Sequence, residues 1–235
     1  MPEVKGHLLE IFSSYQGEGP WAGLKQVFVR LSGCHLRCVY CDTPESWERS
    51  GSWTFAGRTH PNPVTAAETL EAIRSFGPHP SVSITGGEPL IQAEFVREVA
   101  LGVRAMGMRT YLDTSGTLSE RLAICADAID VFAFDIKLPS CPGVRSDWDD
   151  VARCLALARD REAFVKIVVL QDTREDELAR AASLVPPGMP LILQLATPVN
   201  PSTQPPDGET LARLRRACGR DVSVMPQLHV LAGWK

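Results

Sequence analysis

The sequence predicts an α/β fold: an incomplete, partly open (β/α)6 TIM-like barrel in a single domain over residues 1–235. Three observations carry that expectation. Short β-rich runs alternate with helical patterns along most of the chain, the signature of parallel strands joined by right-handed crossovers. Several runs are nearly continuous in apolar residues, as strands covered on both faces are. About six strand–helix units are countable, fewer than the eight of a closed barrel.

In order, a strand over 8–12 is expected to form a leading hairpin with QVFVRLS at 26–32. Further strands are expected at 81–85, 109–114, 131–137, 163–170 (AFVKIVVL), 191–196 and 221–226. Thr65-Ala-Ala-Glu68 reads as a capping box opening a helix that runs to Gly77, where glycine ends it. Over 91–106, Phe95, Val96, Val99 and Val103 make a helical apolar stripe that closes at Gly107. Asp172 or Thr173 caps the next helix, which stops before Pro186, and Asp207 caps one through Ala217. The stretch 42–63, rich in Ser, Gly, Pro and Trp, shows no regular pattern. A loop that long is expected to be functional, here an active-site insertion, with the strand and tail at 221–235 closing the same pocket.

With 235 residues, 44% of them hydrophobic, the chain can bury a core without disulfide staples. A net charge of -4 argues against nucleic acid as a partner. No apolar run is long enough to span a bilayer, and MPEVKGHLLEIF has no signal-peptide h-region, so a cytoplasmic protein is expected. The seven cysteines are an odd set that favours a reducing compartment. Cys125, Cys141, Cys154 and Cys218 are scattered and read as small buried hydrophobes, although Cys141 stands in a loop between Pro139 and Pro142.

The other three sit in GCHLRCVYCDT, as C-x3-C-x2-C of Cys34, Cys38 and Cys41 at the end of a strand run. In parallel α/β folds that is where chemistry resides. A disulfide uses two thiols and a structural zinc site normally four ligands. A four-iron cube has four corners, and three thiolates leave one iron open to a small molecule that reacts. The alternative is a zinc or iron–sulfur redox or binding module completed by His35, His60 or a distant cysteine. The paired C-x2-C units or trailing histidine pair usual in zinc sites are missing from the sequence.

This spacing, with Tyr40 just before the last cysteine, resembles the signature of radical S-adenosylmethionine enzymes. Thr85-Gly86-Gly87-Glu88-Pro89 resembles their GGEP motif, placing Thr85, Gly87 and Glu88 at the site. Gln16-Gly17-Glu18-Gly19, Arg30 ahead of Gly33-Cys34, Asp42-Thr43 followed by Trp47, and the closing Pro226-Gln227-Leu228-His229 resemble the 7-carboxy-7-deazaguanine synthase family.

The resemblance implies a [4Fe–4S] cluster, S-adenosyl-L-methionine and Mg2+. It also implies conversion of 6-carboxy-5,6,7,8-tetrahydropterin to 7-carboxy-7-deazaguanine with loss of ammonia, for queuosine or related 7-deazapurines. Tyr40, Cys41, Asp42, Gly87, Glu88, Ser115, Asp135, Ile136, Lys137 and Gln194 would contact the cofactor, and Thr43 the Mg2+. Tyr15, Gln16, Gly17, Glu18, Arg30, Trp47, Thr85 and His229 would hold the pterin. Arg30 suits its carboxylate, and Gln16 and Glu18 its aminopyrimidinone edge. No side chain is expected to serve as a catalytic residue, the radical coming from the cofactor. A flavodoxin- or ferredoxin-type electron donor and a homodimer are also implied. The chain departs from the family at Asp135-Ile136-Lys137, where members carry Ser-Pro-Lys. That segment also resembles glycyl-radical-enzyme activases, which remain the rival reading.

Overall fold

The computed structural model describes residues 3–144 and 147–234. A two-residue strand, β1 (Lys5–Gly6), leads into β2 (Leu8–Tyr15), which pairs antiparallel with β3 (Lys25–Leu31). Next come a hairpin of β4 (Ser52–Phe55) and β5 (Arg58–Pro61), then β6 (Val64–Thr65) against β1, then helix α1 (Ala66–Arg74). Strand and helix alternate from there. The order is β7 (Ser81–Gly86), α2 (Ala93–Ala105), β8 (Arg109–Thr114), α3 (Ser119–Cys125), β9 (Val131–Asp135) and α4 (Trp148–Leu157). It continues with β10 (Glu162–Val169), α5 (Glu175–Leu184), β11 (Leu191–Leu195), α6 (Gly208–Ala217), β12 (Ser223–Met225) and α7 (Leu228–Ala232). Among the described residues no helix is long and apolar enough to cross a membrane.

One sheet runs β12-β11-β10-β9-β8-β7-β3-β2-β4-β5. Strands β3 and β7 to β12 are parallel, β2 is antiparallel to β3, and the sheet ends at β12 and β5 without closing. This is the incomplete barrel with a leading hairpin that the sequence predicts. The parallel strands other than the edge strand β12 are buried on both faces, which explains their unbroken apolar runs. Phe132, Phe134, Val165 and Ile167 face the helix layer in the main core. Residues of the opposite parity, Tyr111, Ala133, Phe164 and Ile192, pack around Trp21.

Trp21 belongs to a 3-10 turn, Gly19–Trp21, that folds into the open barrel from the end of β2. Its indole N–H donates to Glu162 at 2.9 Å and its ring meets Tyr111 edge-on at 5.8 Å. Gly19 has φ +67, and a Cβ there would come within 2.4 Å of the Phe164 ring, so only glycine fits the turn. The loop thus floors the barrel. Two residues further along each strand, above that floor, stand Asp113, Asp135, Lys166 and Gln194.

The predicted caps hold at both Thr65–Glu68, a complete capping box, and Asp207, which accepts from the Thr210 N–H at 2.8 Å. Elsewhere the structure differs. Strand β2 continues to Tyr15. Helix α5 has Arg174 at its N-cap rather than Asp172 or Thr173, because the Thr173 hydroxyl is taken by the Leu170 N–H at 2.8 Å. Stretch 42–63 is not irregular throughout: the β4–β5 hairpin occupies its second half, with Trp53 buried in the core. Its two-residue turn, Ala56-Gly57, has φ +48 and +74. Such a mirror-image turn is normally announced by Asn-Gly, and an alanine in its first position conceals it.

Candidate active site

At the carboxyl ends of the parallel strands lies a cavity of about 210 Å³. Every residue singled out from the sequence lines it except Ile136. Strand alternation sends Asp135 and Lys137 inward and buries the Ile136 side chain fully in the main core. Its side chain is therefore no part of the site, a correction to the expected cofactor contacts.

The cysteine loop follows β3 and is pinned to its neighbours largely by backbone hydrogen bonds. Cys34 N–H donates to Trp47 O at 2.9 Å, Gly33 N–H to Ser46 O at 2.8 Å, and Glu88 N–H to Gly33 O at 2.9 Å. A Cβ on Gly87 would lie 2.3 Å from Gly33 O and 2.6 Å from Ser46 O, both rigid backbone atoms. The glycine after β7 is what lets the strand end touch the loop. Cys34, Cys38 and Cys41 are free thiols on the cavity wall. Burial, outweighing the Leu36 N–H, pushes Cys34 up, and burial likewise raises Cys41. Cys38 is raised first by its hydrogen bond with Cys141 and then by burial, while that same bond draws Cys141 down to about 7. Cys125, Cys154 and Cys218 are buried in the main core as expected. Cys141 is buried too, but against Leu36 and Cys38 of the cysteine loop.

Zinc would draw its thiolates together on bonds of about 2.3 Å. Among the described residues no three ligating side chains converge in that way. His35 bonds to Thr117 at 2.9 Å, and His60 packs on Trp53, with ring centroids 4.8 Å apart. Three thiols on the wall of one cavity suit a cube, which takes one thiolate at each corner.

Lys166 stands at the centre of the cavity floor, 4% exposed. Its ammonium pairs with Glu18 and lies 3.3 Å from Asp113 and 3.5 Å from Asp135. Lys137 binds Asp135 at 2.7 Å, its ammonium 5.1 Å from the centroid of the Tyr40 ring. Burial acts to raise the Glu18 carboxyl, but Lys166 and the Gln227 amide, which donates at 2.7 Å, outweigh it and hold the group below its ordinary value. Asp113 goes the other way. Burial, helped by Glu18 and Asp135, pushes it to about 6 against the pull of Lys166. Both polar atoms of the Gln194 side chain, 1% exposed, and Oδ1 of Asp135 have no partner among the described residues. Unspent buried polar atoms on a cavity wall fit a polar ligand such as S-adenosylmethionine. Sequence reasoning misses Lys166 and Gln227 as site residues and puts Asp113 on the active face without a role. A lone lysine inside AFVKIVVL was the available signal, since a buried charge requires partners.

On the opposite wall Arg30 is oriented by Glu10 at 3.0 Å, touches the Thr43 hydroxyl at 3.3 Å and lies 5.6 Å from the centroid of the Phe12 ring. Phe12 and Phe28 stack at 5.1 Å, giving a flat apolar surface beside that guanidinium. Thr43 also donates to Asp42 at 2.9 Å. These hard oxygens suit Mg2+. Glu88 is 1% exposed and accepts from Thr114 Oγ1, Ser115 Oγ, Ser115 N and Leu90 N at 2.6–3.0 Å. It ties the end of β7 to the end of β8, and the Ser115 hydroxyl is spent on it. Gln16 is likewise engaged, bonding Gln26 and the Glu18 N–H at 3.1 Å each. Helix α7 brings His229 to the cavity wall. Leu228 N–H donates to Gly17 O at 2.9 Å, Trp234 meets Tyr15 at 5.1 Å, and a Cβ on Gly17 would fall 2.0 Å from His229 Nδ1.

Comparison with known proteins agrees with this geometry. The family model of the radical SAM superfamily matches residues 28–185. The 7-carboxy-7-deazaguanine synthase of Geobacter sulfurreducens is 34% identical over 99% of both chains, and that of Methanothermobacter thermautotrophicus 31% identical over 98% of both. The crystal structure of QueE from Escherichia coli superposes with a TM-score of 0.65, covering 96% of this chain and 95% of that one at 20% identity, a likeness of fold. Three cysteines after the first parallel strand, a partial barrel and whole-length relatives point one way: the chain belongs to the radical SAM superfamily and, within it, to the 7-carboxy-7-deazaguanine synthases.

Proposed function

We propose that the protein converts 6-carboxy-5,6,7,8-tetrahydropterin to 7-carboxy-7-deazaguanine with loss of ammonia, in 7-deazapurine biosynthesis. What carries the reading is that two named relatives match from end to end, while the residues expected at the site, Ile136 apart, line one cavity. Cys34, Cys38 and Cys41 would hold a [4Fe–4S] cluster with one corner open. Such a cluster supplies the electron that cleaves S-adenosylmethionine reductively. The rest is this chain's work. Gln194, Asp135 and Lys137 would bind the cofactor, and Arg30 would grip the pterin carboxylate over the Phe12–Phe28 surface. Glu18 would read the aminopyrimidinone edge, Thr43 with Asp42 would hold Mg2+, and His229 on α7 would cover the ring and exclude water.

Anaerobic incubation of reconstituted protein with carboxypterin, S-adenosylmethionine, Mg2+ and reductant tests the reading, with the deazaguanine chromophore as the signal. Turnover without a protein partner excludes the activase alternative. About four irons per chain excludes a zinc module; stoichiometric zinc without iron defeats the proposal. Leaving out Mg2+ tests that ion separately. A flavodoxin- or ferredoxin-type donor, a cytoplasmic site and a homodimer complete the proposal, the last checked by sedimentation.

A further inference from the structure

Turning a tetrahydropterin carboxylate into a deazaguanine carboxylate removes the elements of ammonia. Beyond any hydrogen-atom chemistry at the cofactor, a ring carbon must lose a proton and the departing nitrogen must gain one. Resting on the reaction proposed above, we propose that Asp113 and Lys166 are the proton-transfer pair for that loss.

Both line the cavity, on β8 and β10 with Asp135 of β9 between them, and their charged atoms are 3.3 Å apart. Each of the other carboxylates around Lys166 has a second partner within 2.7 Å. Glu18 accepts from Gln227 as well as Lys166, and Asp135 is bound by Lys137 at 2.7 Å. Among the described residues Asp113 has only Lys166 and a long contact from the Thr85 hydroxyl, 3.4 Å, and keeps a quarter of its side chain open toward the cavity. Tyr111 packs below the pair, and Glu18, Asp135 and Lys137 complete its charged surroundings. With its carboxyl pushed up to about 6, Asp113 is an anion at neutral pH yet basic enough to accept a proton.

The step balances without an oxidant or reductant. Asp113 takes the proton of a ring C–H bond, whose electron pair becomes a ring double bond. The C–N pair leaves with the nitrogen, which takes a proton from the Lys166 ammonium and departs as ammonia. The proton on Asp113 then crosses to the Lys166 amine, and both groups recover their starting charges.

Asp113→Asn and Asp113→Glu, assayed anaerobically on carboxypterin deuterated at C6, test this. Three readouts are followed: iron per chain, deuterium appearing in recovered S-adenosylmethionine, and product. Asp113→Asn is expected to keep its iron and its deuterium transfer, while product falls about 100-fold or more and an isomer of the substrate retaining all its nitrogen accumulates. Asp113→Glu should recover part of the rate. In the unaltered enzyme, product formation should rise with pH through about 6 and then level off. Product from Asp113→Asn at near the normal rate overturns the proposal, as does loss of deuterium transfer in step with product. Should the asparagine variant fail to fold, Asp113→Glu decides, and loss of its deuterium transfer in step with product overturns the proposal. Wild-type enzyme inert toward carboxypterin brings down the reaction itself, a distinguishable result.

Discussion

One ammonium, that of Lys166, stands among three carboxylates contributed by three separate segments. Exchange for methionine would leave those charges buried together, which costs about 3–5 kcal/mol when one member of a buried pair is lost. A drop of that size in urea-unfolding stability is expected for Lys166→Met; an unchanged midpoint would contradict the assignment. The carboxylates respond to pH with opposite signs. Glu18, held low, contributes stability present above its unfolded value of 4.5 and lost on acidification. Asp113, held near 6 against 3.8 unfolded, contributes stability that is full below 3.8 and lost as pH rises through 6. Glycine 87 makes a second residue-scale prediction. Gly87→Ala forces the strand end off the cysteine loop, so iron bound after reconstitution should fall several-fold, read by iron analysis.

Elements were legible where the chain advertises them chemically. The Thr65–Glu68 box and Asp207 are capping signals made by side chains within one turn, so the sequence alone contains the interaction. Helices α3 and α4 were passed over: the first has only seven residues, and the second opens on acidic residues behind Asp147. The β4–β5 hairpin was concealed by Ala56, whose positive φ costs about 1–2 kcal/mol relative to a residue suited to the left-handed region. Ala56→Asn should therefore stabilise the protein by about 0.5–1 kcal/mol and leave activity alone. A thermal melt checks the first claim and a turnover assay the second.

At the scale of the whole molecule, the barrel and its reactive end follow from alternation and strand polarity, while the GGEP turn and Lys137 are assigned to the site of the cysteine loop by the family resemblance. What could not be read was side-chain engagement. Glu88 and Gln16 carry the residue types a ligand would want, yet each is bonded to neighbours that only the folded chain brings close. Helix α7 buries none of its residues. Removing 228–235 should leave the unfolding transition nearly unchanged while substrate affinity, measured by calorimetry, is lost.

Because the floor beneath the reacting groups is a turn carrying Trp21 rather than a strand, pocket depth and barrel integrity are set by different parts of the polypeptide. Swapping that turn for one bearing a smaller ring would deepen the chamber toward bulkier heterocycles while every rung of the sheet stayed as it is, a natural starting place for reprogramming what the enzyme accepts.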